Sequence, residues 1–169
     1  MTDTSTASYA VVHRPARPAA TVTRTVTMAT LSEAADEIPG LAAWLAVRGQ
    51  VPAGPPFLRY LVIDMAADLV VQAGFPVTDP VEGDGRVEAD VLPAGDYLTA
   101  VHVGPYEGLY GATAGLLAHA GRTGLALDHH PTDAGDAWTS RLEWYETDPR
   151  VQTDPAGWVT RLEFKLADG

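Results

Sequence analysis

Glu143 and Tyr145, two residues apart in the run Arg-Leu-Glu-Trp-Tyr-Glu-Thr-Asp-Pro (141–149), have the types and spacing best suited to chemistry in this chain. The run reads as a strand that ends at an Asp-Pro turn, and side chains alternate faces along a strand. Glu143 and Tyr145 therefore share one face, while Leu142 and Trp144 share the other. If the apolar pair packs under a helix, a carboxylate and a phenol are left to floor a cavity for a cationic or polarised organic molecule. An isolated buried carboxylate is costly and tends towards a raised pKa. Glu143 could thus serve as counter-ion or general base, and Tyr145 could stack on an aromatic ligand or donate to a departing oxygen. The competing reading is a solvated sheet face with Glu143 paired to Arg141 or Arg161.

Other residues qualify on weaker grounds. Tyr60 sits in a strong strand pattern and carries the same ambiguity as Tyr145. Trp44 lies at the edge of a helical apolar stripe, as core or as cleft rim. By strand alternation Trp144 reads as core and Trp138 as core or edge. His102 precedes a Gly104-Pro105-Tyr106 turn, where a histidine can shuttle protons or simply hold the turn. His129 and His130, with Asp128 and Asp133, are too close in sequence to converge easily on a metal, so no metal site is expected. No Gly-x-Ser-x-Gly elbow, phosphate-binding Walker loop or His-Glu-x-x-His motif occurs, and no cofactor is implied.

The elements that must position these groups follow from periodicity. Residues 1–8 are polar and read as a loose tail, and residues 19–28 alternate as a strand. Leu31, Ala35, Ile38, Ala42 and Leu45 recur at helical spacing, interrupted at Pro39-Gly40. Strands are expected over 57–63 and 67–73, then an acidic linker over 79–85. The order then repeats: strands over 86–92 and 95–103, a helix over 106–121, a loop over 125–136, and strands over 137–146 and 157–166. This predicts an α+β domain over 9–166, built from pseudo-symmetric halves at about 9–78 and 86–166.

Composition narrows the function classes. The 169 residues include no cysteine, which excludes disulfides, thiolate metal sites and cysteine nucleophiles. The net charge of −11 argues against nucleic-acid binding, which needs a basic footprint. Apolar runs are too short to span a membrane and no secretory pattern is present, so a cytoplasmic location is expected.

Four segments occur in an order that resembles the GyrI-like small-molecule-binding family, the bacterial transcription-activator effector-binding domain. They are Gly54-Pro55-Pro56-Phe57-Leu58-Arg59-Tyr60, Gly74-Phe75-Pro76-Val77, His102-Val103-Gly104-Pro105-Tyr106 and Glu143-Trp144-Tyr145-(x)2-Asp148-Pro149. The resemblance spans about residues 9–166. It implies two βαββ (SHS2-like) halves forming a ligand cleft, with helices on the outer faces. It also implies a buried glutamate among aromatic side chains: Glu143 matches that position, and Tyr60, Tyr106 and Tyr145 match or neighbour cleft positions. Phe57, Trp44 and His102 complete the candidate ligand-contacting set, with Glu143 and Tyr145 as the catalytic candidates. Family members that are regulators carry a helix-turn-helix region ahead of the domain; this chain resembles the stand-alone members.

Two functions follow as expectations. One is a binding protein that takes up a hydrophobic, aromatic or cationic compound for drug resistance or sensing. The other is a hydrolase that opens a strained, cyclopropanoid-type electrophile with Glu143 as base and a tyrosine as acid. A third, antagonism of gyrase or a toxin through an acidic surface, has less behind it. The sequence leaves monomer and homodimer open.

Overall fold

The computed structural model describes residues 8–168, so the segment expected as a tail falls outside it except for Ser8. Ten strands form one curled antiparallel sheet among the described residues. The strands are β1 (Tyr9–Arg14), β2 (Arg17–Val26), β3 (Phe57–Ile63), β4 (Leu69–Pro76), β5 (Glu88–Leu92), β6 (Gly95–Val103), β7 (His129–Thr132), β8 (Gly135–Trp138), β9 (Arg141–Tyr145) and β10 (Val159–Lys165). The helices are α1 (Ser32–Ala35), α2 (Glu37–Val47) and α3 (Leu109–Thr123).

The spatial order β1-β6-β10-β9-β3-β4-β2-β5 has an internal symmetry. Reading outwards from the β9–β3 junction gives β10 then β6 on one side, and β4 then β2 on the other. Each half is thus a strand, a helical segment and two more strands. The two outermost strands are exchanged: β1 precedes the first half yet pairs with β6, and β5 precedes the second yet pairs with β2. The Pro93–Gly95 segment therefore joins two strands lying far apart in the sheet, where a local reading sees neighbours.

The apolar stripe of residues 31–45 divides at Asp36, not at Pro39-Gly40. Pro39 then falls in the first turn of α2, where a missing N–H costs nothing because no intrahelical acceptor exists. Leu41, Trp44 and Leu45 bury against Ala20, Val22 and Phe75. On the other half, α3 ends at Gly124 in the left-handed region (φ 71°) and buries Leu116 and Ala120 against Leu98, Leu162 and Phe164.

The opposite side of the sheet carries no helix over Leu142 and Trp144, contrary to expectation. They pack with Ala19, Phe57, Leu92 and Tyr97, because the curl of the sheet brings strands from both halves together there. Gly74 belongs to this region: a Cβ on it would lie 2.4 Å from Phe57 Cζ and 3.0 Å from the Ala20 carbonyl oxygen. Phe57 is fully buried against the Trp144 ring, at a centroid distance of 5.0 Å, and has nowhere to go. Gly74→Ala is therefore expected to destabilise by about 1–3 kcal/mol through overpacking, read as a lowered urea midpoint at unchanged slope.

The stretch 125–136, expected as loop, contains β7 and the start of the β7–β8 hairpin, which joins the sheet through β8 and β3. His129 stacks on Trp138 at 4.4 Å and its Nδ1 meets Asp136 at 2.9 Å, which gives this histidine a structural place in the hairpin.

Candidate functional site

The junction of the two halves brings β3 and β9 side by side, with Leu58 opposite Glu143. Alternation turns Leu58 and Tyr60 of β3, and Arg141, Glu143 and Tyr145 of β9, towards the helical side of the sheet. These residues floor a cavity of about 1190 Å³. One wall is α1 and α2 with the residue before them, through Leu31, Ala35 and Ile38. The other is α3 and the turn before it, through Tyr106, Leu109 and Thr113. The loop after β9 contributes Glu146, Asp148 and Arg150 at the edge.

At the floor, the Tyr60 and Tyr145 hydroxyls each donate to the same carboxylate oxygen, Glu143 Oε1, at 2.8 Å. Oε2 receives no hydrogen bond among the described residues. Burial pushes the Glu143 carboxyl above its ordinary pKa, against the two tyrosine bonds and the Arg141 charge that act to lower it. Burial likewise raises both phenols well above the ordinary value, reinforced by the neighbouring carboxylate, so they remain donors. Tyr106 packs edge-on against Tyr145 at 5.7 Å and lies 4.6 Å from the Trp158 ring, completing an aromatic corner.

The arrangement combines an apolar, partly aromatic enclosure with one desolvated carboxylate. It can hold a flat apolar ligand by stacking and meet one polar or positive group at Oε2. It can equally draw a proton from a bound water or ligand at that oxygen.

The candidates named from sequence separate cleanly. Glu143, Tyr145, Tyr60 and Tyr106 come together in the cavity. Phe57 does not reach it, because strand parity sends its ring to the opposite face, into the core beside Trp144. Trp44 is also outside the cavity, buried in the α2 core, with its indole N–H donating to Asp84 at 2.8 Å and the Arg48 guanidinium over its ring. His102 is held away by the turn it precedes, where Nε2 donates to the Pro105 carbonyl at 2.9 Å.

Neither arginine proposed as a partner for Glu143 forms an ion pair with it. Arg161 instead pairs with Glu146 at 3.1 Å and approaches Glu163. Arg141 lies on the cavity floor, a site position not assigned from the sequence. The signal was present, since Arg141 is two residues before Glu143 and shares its face.

A pseudo-symmetric α+β domain with an open, mainly apolar cleft at the junction of its halves defines a class of small-molecule-binding proteins. The GyrI-like small molecule binding domain family matches residues 7–126, and the chain belongs to that family. The matched stretch includes Tyr60 and Tyr106 and ends before β9. No curated protein sequence matches the chain. Among solved structures, the EcmrR C-terminal domain is similar with a TM-score of 0.75 and 20% identity, covering 97% of this chain and 99% of that one. The EcmrR chain in its DNA complex gives a TM-score of 0.75 and 21% identity over 96% of this chain, which spans only 58% of that longer one. A hydrolase from Listeria innocua has a TM-score of 0.62 and 16% identity, covering 94% of this chain and 91% of that one. At such identities the likeness is one of fold. Among the described residues no helix is long and apolar enough to cross a membrane.

Proposed function

We propose that the cavity takes up a hydrophobic aromatic compound whose cationic or hydrogen-bond-donating end meets Glu143, and that this serves resistance to the compound or sensing of it. The observation that carries the reading is the buried carboxylate at the floor, held by two phenols through one oxygen while the other stays free. A protein gains nothing in stability from such a group, so its retention in a cavity argues for use. The volume of about 1190 Å³ is somewhat above that of a usual pocket for a drug-sized ligand, so there is room for a bulky compound, and the lining is mainly apolar.

A second reading is favoured by the raised Glu143 pKa beside two phenols. Here Glu143 takes a proton from water, whose oxygen bonds to a strained ring carbon. The electron pair of the broken ring bond moves onto a conjugated carbonyl oxygen, which Tyr145 protonates.

Incubation of the protein with a panel of aromatic cations, neutral polycyclic compounds and strained electrophiles separates the two. Thermal shift reads binding, and mass spectrometry of the recovered compound reads turnover. A raised melting temperature with unchanged compound is the expected result. A hydrated product that disappears with Glu143→Gln would establish the hydrolase. No shift for any compound would sink the assignment of the cavity as a binding site.

A further inference from the structure

The cavity floor carries a second polar group that the proposed function leaves unused. The Arg141 guanidinium lies face-on among three rings, 4.7 Å from the Trp138 and Phe164 centroids and 5.8 Å from that of Tyr60. Its Nε is buried with no hydrogen-bond partner, and among the described residues none of its nitrogens takes part in a hydrogen bond or ion pair. The carboxylates that act on it, Glu143 and Asp136, do so only as neighbouring charges. Asp136 is engaged by His129 at 2.9 Å, and both tyrosine bonds fall on Glu143 Oε1.

Among the other charged groups that line the cavity, Glu107 is solvent-exposed and without an ion pair among the described residues, and the rest are neutralised. Arg150 is paired with Asp148 at 2.8 Å, and Glu146 with Arg161 at 3.1 Å. At the cavity floor that leaves two open charged groups, a carboxylate oxygen and a guanidinium, both on β9 and two residues apart. Side chains at that spacing point the same way about 7 Å apart along a strand. An arginine without a bonded partner is rare in a protein interior, because its donors lose water without compensation. Its planar fork is suited to a carboxylate or similar oxyanion.

We infer that the natural occupant is a dipolar aromatic molecule, with a cationic or donor group on Glu143 Oε2 and a carboxylate-like oxyanion on Arg141. The inference rests on the cavity being a ligand site and narrows the ligand class. A simple lipophilic cation would satisfy Glu143 yet lie against an uncompensated positive charge. A dipolar ligand neutralises both groups at once and leaves no unpaired charge inside. The three rings around Arg141 fix the guanidinium in place before the ligand arrives, which limits the ordering that binding requires.

Rhodamine B and its ethyl ester make a suitable probe pair. They share one cationic xanthene and nearly the same bulk, and only the acid carries a carboxylate near neutral pH. Fluorescence anisotropy titrations would be run on the wild type, Arg141→Met and Arg141→Gln. The wild type is expected to bind the acid about 10-fold more tightly than the ester, as one charged hydrogen-bonded contact implies. Both variants should lose that preference through weaker binding of the acid. Retained ester binding shows that they are folded.

Equal binding of the two dyes by the wild type overturns the inference, as does a preference that survives in both variants. If neither dye binds while compounds of the wider panel do, the dipolar assignment is also overturned. If the panel fails as well, the cavity is not a ligand site, and both readings fall for that separate reason.

Discussion

Glu143→Gln is expected to weaken binding in the cavity strongly while leaving the unliganded protein as stable as the wild type or more so. Glutamine keeps the shape of the side chain, and its carbonyl oxygen can accept both tyrosine bonds now made to Oε1. Only the charge is lost. A charged hydrogen bond in a desolvated site is worth about 1.5–3 kcal/mol, so affinity should fall by roughly 10- to 100-fold or more.

The stability effect has the opposite sign. Burial raises the Glu143 pKa in the folded state, so the folded protein holds a proton where the unfolded chain has released one. Above the raised pKa the desolvated charge lowers stability, and the penalty is relieved as pH falls through that value. The stability advantage of Glu143→Gln should therefore be largest at neutral to alkaline pH and shrink on acidification. Thermal melts of both proteins from about pH 8 to about pH 4 test this, and parallel profiles would sink it. Binding of a cationic probe should weaken over the same range, starting at a higher pH than an exposed glutamate would give.

Glu163→Ala should be far more damaging to the fold. Glu163 is 0% exposed, on the face of β10 turned away from the cavity. Its Oε2 receives Arg14 at 2.7 and 2.9 Å, and its Oε1 receives Arg17 at 3.3 Å and the Trp144 indole at 3.0 Å. Arg161 lies 3.7 Å away. Arg14 closes β1 and Arg17 opens β2, so this carboxylate pins the corner where the chain crosses from one end of the sheet to the other. Removing it leaves several guanidiniums crowded around Trp144 without their counter-charge. Breaking a buried pair in this way costs about 3–5 kcal/mol, against a total stability of about 5–15 kcal/mol for a typical domain. Chemical denaturation measures the loss, and a change below about 1 kcal/mol would show that the cluster is not a structural clamp.

The parts of the fold that depend on local pattern were readable in the sequence. The run Phe57–Ile63 is a strand with the expected bounds, and the repeated strand–helix–hairpin order is present. Pairings between distant residues were not readable. β1 is six mixed residues that become a strand only by lying on β6, with Tyr9 opposite Ala100. β7 is exposed and contains Pro131, and it is held by its pairing with β8 and by the His129–Trp138 stack. In the site, alternation along β9 was enough to place Glu143 beside Tyr145. The same rule, applied to Phe57 and Tyr60, sends them to opposite faces. Arg141 shares the Glu143 face by that rule too. Its lack of an ion pair was invisible, since sequence shows proximity along a strand and not what a guanidinium finally touches.

The exchange of outer strands has a consequence for the acidic segment 79–85, which resembles a domain boundary. A break there would not release two miniature proteins. The first fragment would carry β1 without β6 to lay it on, and the second would carry β5 without β2. Each would also expose a raw sheet edge, β3 in one and β9 in the other, where hydrogen bonds of the joined sheet had been. The pieces would be expected to reassemble only with each other, as complementing fragments. What began as a repeated unit is wired so that neither copy can be kept without its sister, and the cavity exists only where the two meet.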